Sequence, residues 1–133
     1  MAGHMQILIV DDQPRARQSL KALLTTWTQV KEIREAASGQ EALHLVEESR
    51  PDVVLMDARM PEMDGLEATW LIKARWPQVK IIVLSMYADY RTEALAAGAD
   101  AFVSKGEPPE QLLATLATVA TKPQPQTYPN KGD

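Results

Sequence analysis

The stretch VVLMDARMPEMDG (53–65) decides how this chain folds. Its first four residues, Val53 to Met56, are aliphatic without alternation. A strand of that kind is buried on both faces, as in a parallel sheet covered by helices. The run ends on Asp57, and Pro61 and Gly65 break the chain before helical apolar spacing begins near Leu66.

The same alternation repeats on either side. ILIV (7–10) is a strand, followed by a helix from Pro14 to about Thr26 with Ala16, Leu20, Leu23 and Leu24 on one face. KEIREAA (31–37) is a weak strand held by Ile33, and Ser38-Gly39 opens a helix through Ala42, Leu43, Leu45 and Val46. The helix after the central strand runs from Leu66 to Trp76 and stops at Pro77. KIIVLS (80–85) is another buried strand, residues 90–97 a short helix closed by Gly98, and DAFVS (100–104) the fifth strand. Glu107 to Val119 is the last helix. Five β-α units of this kind predict a doubly wound α/β fold, (βα)5 with a five-stranded parallel sheet.

The whole chain bounds the function. Its 133 residues suit one domain, at 45% hydrophobic and 24% charged. A net charge of −4 argues against nucleic acid as a ligand of this domain. There is no cysteine, so thiolate metal sites are excluded. No apolar run approaches the roughly 20 residues of a membrane span. A cytoplasmic location is expected. Gly3-His4-Met5 reads as a cloning scar, which makes residues 1–5 scar and start. The folded domain is expected over 6–121, and KPQPQTYPNKGD (122–133) reads as a Pro-rich linker toward a further domain.

In doubly wound sheets, ligands sit beyond the carboxyl ends of the strands. Those ends carry Asp11 and Asp12, then Asp57, Ser85 and Lys105. Each residue alone has a plain structural explanation; Asp12, for instance, is a candidate cap for the helix opening at Pro14. Together they form a chemistry. Carboxylates about 4 Å apart repel by roughly 4 kcal/mol at an effective dielectric near 20. A hard divalent cation, Mg2+ or Mn2+, turns that repulsion into binding and commonly holds a phosphate as well. Lys105 and Ser85 would pair with phosphoryl oxygens, and Asp57, on the central strand, would be the nucleophile that forms an acyl phosphate.

VDD (10–12), VVLMDARMPEMDG (53–65), VLS (83–85) and GADAFVSKG (98–106) resemble the receiver domain of bacterial two-component response regulators. The resemblance covers about residues 6–120 and implies a flavodoxin-like fold with strand order 2-1-3-4-5. It implies that Asp57 takes a phosphoryl group from a sensor histidine kinase. Asp11 and Asp12 would bind Mg2+ with Asp57 and the backbone carbonyl of Arg59, and Lys105 would pair with the phosphoryl group. Ser85 and Phe102 would be the switch hydroxyl and switch aromatic. The ring would turn inward on phosphorylation and reshape the face of the fourth helix, fifth strand and fifth helix around Tyr90, Leu95, Phe102 and Glu107. That face, or another helical face, is a candidate homodimer surface.

Ser85 stands where Thr is commoner and Phe102 where Tyr is, so Phe102 also reads as a plain core ring. Gly106 replaces the Pro that often follows the lysine, and no cis bond is expected there. KGEPPEQLLATL (105–116) resembles the NarL/FixJ subgroup, which implies a C-terminal DNA-binding domain and a role in transcriptional control. Arg59 and Tyr87, two residues past Asp57 and Ser85, are expected to reach over the site and slow the loss of the phosphoryl group. Trp70 is expected to face away from the sheet and to pack partly on a neighbouring helix.

The main alternative is an aspartyl-phosphate phosphatase or phosphotransferase. Haloacid-dehalogenase-type enzymes usually place DxD on the first strand; here that strand ends DDQ and no general acid is positioned. A flavodoxin-like FMN binder needs a Gly- and hydroxyl-rich loop after its first strand, and DDQPRAR would repel phosphate. A receiver that signals without phosphorylation is at odds with the intact acidic set.

Overall fold

The computed structural model describes residues 4–121. The elements alternate as β1 (Met5–Val10), α1 (Pro14–Leu24), β2 (Val30–Ala36), α2 (Gly39–Ser49), β3 (Val53–Asp57), α3 (Gly65–Arg75), β4 (Lys80–Ser85), a 3-10 turn (Ala88–Tyr90), α4 (Arg91–Ala96), β5 (Ala101–Ser104) and α5 (Pro109–Thr121). All strand pairs are parallel, in the order β2-β1-β3-β4-β5. This is the doubly wound (βα)5 fold expected from the sequence. The expected linker at 122–133 lies outside the described residues.

Strand residues divide by parity between two cores. Leu8, Val10, Val54, Met56, Ile81, Val83 and Phe102 pack with residues of α2, α3 and α4. Ile7, Ile9, Val53, Leu55, Ile82, Leu84 and Val103 pack with residues of α1 and α5. Both faces are covered, which is why the central strands show no polar alternation. Each buried aliphatic side chain contributes about 1.5–3 kcal/mol, so a one-residue register slip would exchange the two cores at large cost.

The helix ends are set locally. Ser38 caps α2 by accepting from the Glu41 N–H at 3.1 Å, and Asp64 caps α3 by accepting from Glu67 at 2.8 Å. The sequence offered Asp12 as the cap of α1, but the cap residue is Gln13, which makes no side-chain cap bond. The acid used at this turn is Asp11, whose Oδ1 accepts the Gln13 N–H at 2.9 Å. Helix α5 begins at Pro109 rather than Glu107, because the Glu107 N–H is turned back to the Ser104 carbonyl at 3.1 Å. Helix α4 ends as expected at Gly98, with φ 106°; the Gly98 and Ala99 N–H groups close on the Leu95 and Ala94 carbonyls.

Ala68, Thr69 and Ile72 of α3, and Trp76 just past its end, are buried, and Trp70 is exposed. Trp70 is 60% exposed, so the expected partial packing on a neighbouring helix is not found. The Arg50 and Arg75 guanidinium groups lie 5.3 and 4.5 Å from the Trp76 ring centre.

Gly65 has a role the sequence reading gave only as a breaker. Its N–H donates to the Ala58 carbonyl at 2.9 Å, and a Cβ there would overlap the Asp57 carbonyl. Helix α3 can therefore start directly against the end of β3 only with glycine at this position. Gly65→Ala should lower the urea unfolding free energy by about 1–3 kcal/mol; an unchanged midpoint would contradict this close approach.

Candidate functional site

The parallel register assembles the site. Val10 pairs with Met56 across β1 and β3, so Asp11 and Asp57 emerge side by side. Asp57 pairs with Leu84, one residue before Ser85, and Ser85 pairs with Ser104, one residue before Lys105. One carboxylate oxygen from each of Asp11, Asp12 and Asp57 lies within 4.8 Å of the others.

The three acids are not equivalent. Asp11 is buried and fully engaged. Its N–H donates to the Ala36 carbonyl at 3.1 Å, its carbonyl accepts from Arg17, Oδ1 accepts from the Gln13 N–H, and Oδ2 accepts from Lys105 at 3.0 Å. Asp57 Oδ1 lies 2.9 Å from the Lys105 ammonium. Among the described residues, the Asp12 carboxylate has no hydrogen-bond or ion-pair partner, and it is only half-buried. Asp12 therefore has a free carboxylate beside two that share one lysine.

Burial pushes the Asp57 carboxyl above its ordinary pKa; the Lys105 hydrogen bond and charge pull the other way, and Asp11 and Asp12 add to the rise. For Lys105, burial works to lower the pKa, but the hydrogen bonds and charges of Asp57 and Asp11 outweigh it and the net shift is upward. A cation in this position is thus held charged by the acids it bridges.

The donor set suits a hard divalent ion: three carboxylates, one of them, Asp12, without a hydrogen-bond or ion-pair partner among the described residues. Lys105 is fixed from behind, its N–H donating to the Ser85 carbonyl at 2.7 Å. Ser85 is buried, and its hydroxyl accepts the Tyr87 N–H at 3.0 Å.

The remaining expected residues are placed as follows. Phe102 already lies in the core, with the Arg91 guanidinium 5.2 Å from its ring centre. On the face expected to change, Tyr90 is half-buried, and Leu95 and Glu107 are exposed. Arg59 and Tyr87 are exposed; neither bonds to the three carboxylates, and Tyr87 packs edge-on against Tyr90 with ring centres 6.3 Å apart. Arg59 and Tyr90 instead line a cleft of about 290 Å3 with Glu62 and Asp64. Sequence reasoning missed Arg17, whose Nη1 donates to the Asp11 carbonyl at 2.6 Å. A lone arginine at the start of a helix gives no signal of that contact.

The Asp57 shift has a consequence for stability. Between the unfolded value, about 3.9, and the raised folded value, the unfolded chain has released this proton and the folded chain has not. Stability is then lost as pH rises through the folded value. Urea unfolding between pH 4 and 7 without divalent ions should show a larger decline for the wild type than for Asp57→Asn. Equal declines would contradict the shift.

The response regulator receiver domain family model matches residues 7–117. A Bacillus subtilis transcriptional regulatory protein, YhcZ, is 42% identical over 113 residues, covering 84% of this chain and 53% of that protein. Transcriptional regulatory protein DegU of Brevibacillus brevis is 36% identical over 118 residues, covering 87% of this chain and 50% of that protein. A LuxR-family two-component response regulator from an Aurantimonas species superposes with a TM-score of 0.84 at 29% identity, covering 89% of this chain and 86% of that one. The chain spans about half the length of the curated relatives it matches. No helix among the described residues is long and apolar enough to cross a membrane. With its fold, its acidic cluster at the strand ends and these likenesses, the chain belongs to the response regulator receiver domain family and is closely related to receivers of the NarL/FixJ/LuxR type.

Proposed function

We propose that the chain is a phosphorylation-activated switch that accepts a phosphoryl group on Asp57. The observation that carries this reading is the convergence of the three carboxylates within 4.8 Å, with Lys105 bridging Asp11 and Asp57. An oxygen of Asp57 attacks phosphorus, a new O–P bond forms, and the bond from phosphorus to the donor nitrogen or acyl oxygen breaks. Lys105 follows the charge from the carboxylate onto the phosphoryl oxygens. Ser85 supplies a hydroxyl on the neighbouring strand.

Asp11, Asp12 and Asp57, with the Arg59 carbonyl, would hold Mg2+ or Mn2+. When bound, that ion neutralises charge that Lys105 alone leaves uncompensated and favours in-line transfer. Reversal by water closes the cycle, so the chain modifies itself and turns over no other substrate. Arg59 and Tyr87, both exposed and two residues past Asp57 and Ser85, would restrict that water.

The phosphoryl donor in this reading is a sensor histidine kinase. The receiver is assigned to residues 6–121 and the linker to 122–133. The output is a DNA-binding domain in transcriptional control, in keeping with the names of the relatives. The face of α4, β5 and α5, or another helical face, would transmit the signal or pair two copies.

Acetyl phosphate with Mg2+ should add one phosphoryl group by intact mass, and Asp57→Asn or removal of Mg2+ by EDTA should abolish it. Multiple turnover of unrelated phosphate esters would favour the phosphatase alternative. An Arg59→Ala, Tyr87→Ala variant should lose the phosphoryl group severalfold faster than wild type; an equal rate would remove both residues from the account.

A further inference from the structure

Arg17 sits where a cation does little for its own helix. It is near the N-terminal end of α1, where the helix dipole disfavours positive charge, and the first turn contains no acid. Its guanidinium is instead spent on two acceptors outside the helix. Nη1 donates to the Asp11 carbonyl at 2.6 Å, and Nε donates to the Glu35 carboxylate at 2.9 Å. Its side chain is only 17% exposed, so the contacts are partly shielded from water. Lys21, one helical turn on, adds a longer 3.5 Å pair to Glu35.

These contacts act on the peptide that joins the two acids. The Asp11 carbonyl and the Asp12 N–H belong to one planar unit. Fixing that plane fixes the line of the Asp12 N–Cα bond, from which its side chain is carried. Among the described residues the Asp12 carboxylate has no hydrogen-bond or ion-pair partner, so what restrains its aim is the backbone that carries it. Glu35 precedes Ala36, whose carbonyl accepts the Asp11 N–H, so the end of β2 grips the acidic pair from both sides of Asp11.

We infer that Arg17 is a positioning residue for the metal-binding carboxylates, clamping the Asp11–Asp12 peptide to Glu35 so that Asp12 is aimed at the ion. The inference rests on the metal-assisted reading given above. It has a sign that a pure charge effect cannot copy. Arg17 is a cation close to a divalent site, and removing it would by Coulomb's law alone tighten Mg2+ binding. Removing a clamp loosens it.

The test is Mg2+ binding by calorimetry on the wild type and on Arg17→Met, which keeps the apolar stem and comparable helix propensity. Circular dichroism checks folding. The Mg2+ dissociation constant of Arg17→Met should rise about tenfold, within the range for groups that orient metal ligands. Its acetyl phosphate reaction at saturating Mg2+ should stay within about threefold of wild type, because the clamp touches no reacting atom. An unchanged or tighter dissociation constant in a folded Arg17→Met overturns the inference and leaves the metal-assisted reading standing. A wild type that binds no Mg2+ overturns both. If Arg17→Met does not fold, Arg17→Gln decides, since it also removes the cation but cannot bridge both acceptors: weaker Mg2+ binding supports the clamp, and unchanged or tighter binding overturns it.

Discussion

The bridge from Lys105 to Asp11 and Asp57 is the interaction on which the rest of the molecule turns. It spans 94 residues of sequence and ties the end of β5 to the ends of β1 and β3. Without it, three carboxylates within 4.8 Å would oppose the packing that brings their strands together. At an effective dielectric near 20, each such pair at about 4 Å costs roughly 4 kcal/mol. One lysine offsets that repulsion for two of the acids. The third, Asp12, is left without a counter-charge among the described residues, which leaves a cluster able to coordinate a divalent cation.

The two cores supply the force that the carboxylates resist. Strand residues alternate between the α1/α5 face and the α2/α3/α4 face, so no strand can slide without exchanging both sets. That register places Asp11 beside Asp57 and Ser85 two short steps from Lys105. The loop after β3 is confined further by Gly65, which brings the start of α3 against the Asp57 carbonyl. The site is therefore stiff where its acids are attached. Arg59 and Tyr87, two residues past the ends of β3 and β4, are exposed.

Much of this was legible in the sequence because it depends on period and position. Aliphatic runs without alternation marked the buried strands, and the polar residues just beyond them marked the site. The parts that were not legible depend on single contacts. Whether Asp11 or Asp12 served the turn before α1 hinged on one Oδ1 bond to Gln13. The start of α5 hinged on one carbonyl capturing the Glu107 N–H. Helical spacing placed Trp70 on the outer face but could not say that its neighbours leave it open. Arg17 and Gly65 act on backbone atoms, and a side-chain pattern does not record which carbonyl a residue will meet.

The central claim is that the crowded acids direct a phosphoryl group to Asp57. The most direct measurement is peptide mapping after treatment with acetyl phosphate and Mg2+ followed by borohydride, which reduces an acyl phosphate on aspartate to homoserine. The account predicts homoserine at position 57, dependent on Mg2+. Homoserine at position 11 or 12, or a borohydride-resistant phosphate on Ser85, would contradict it.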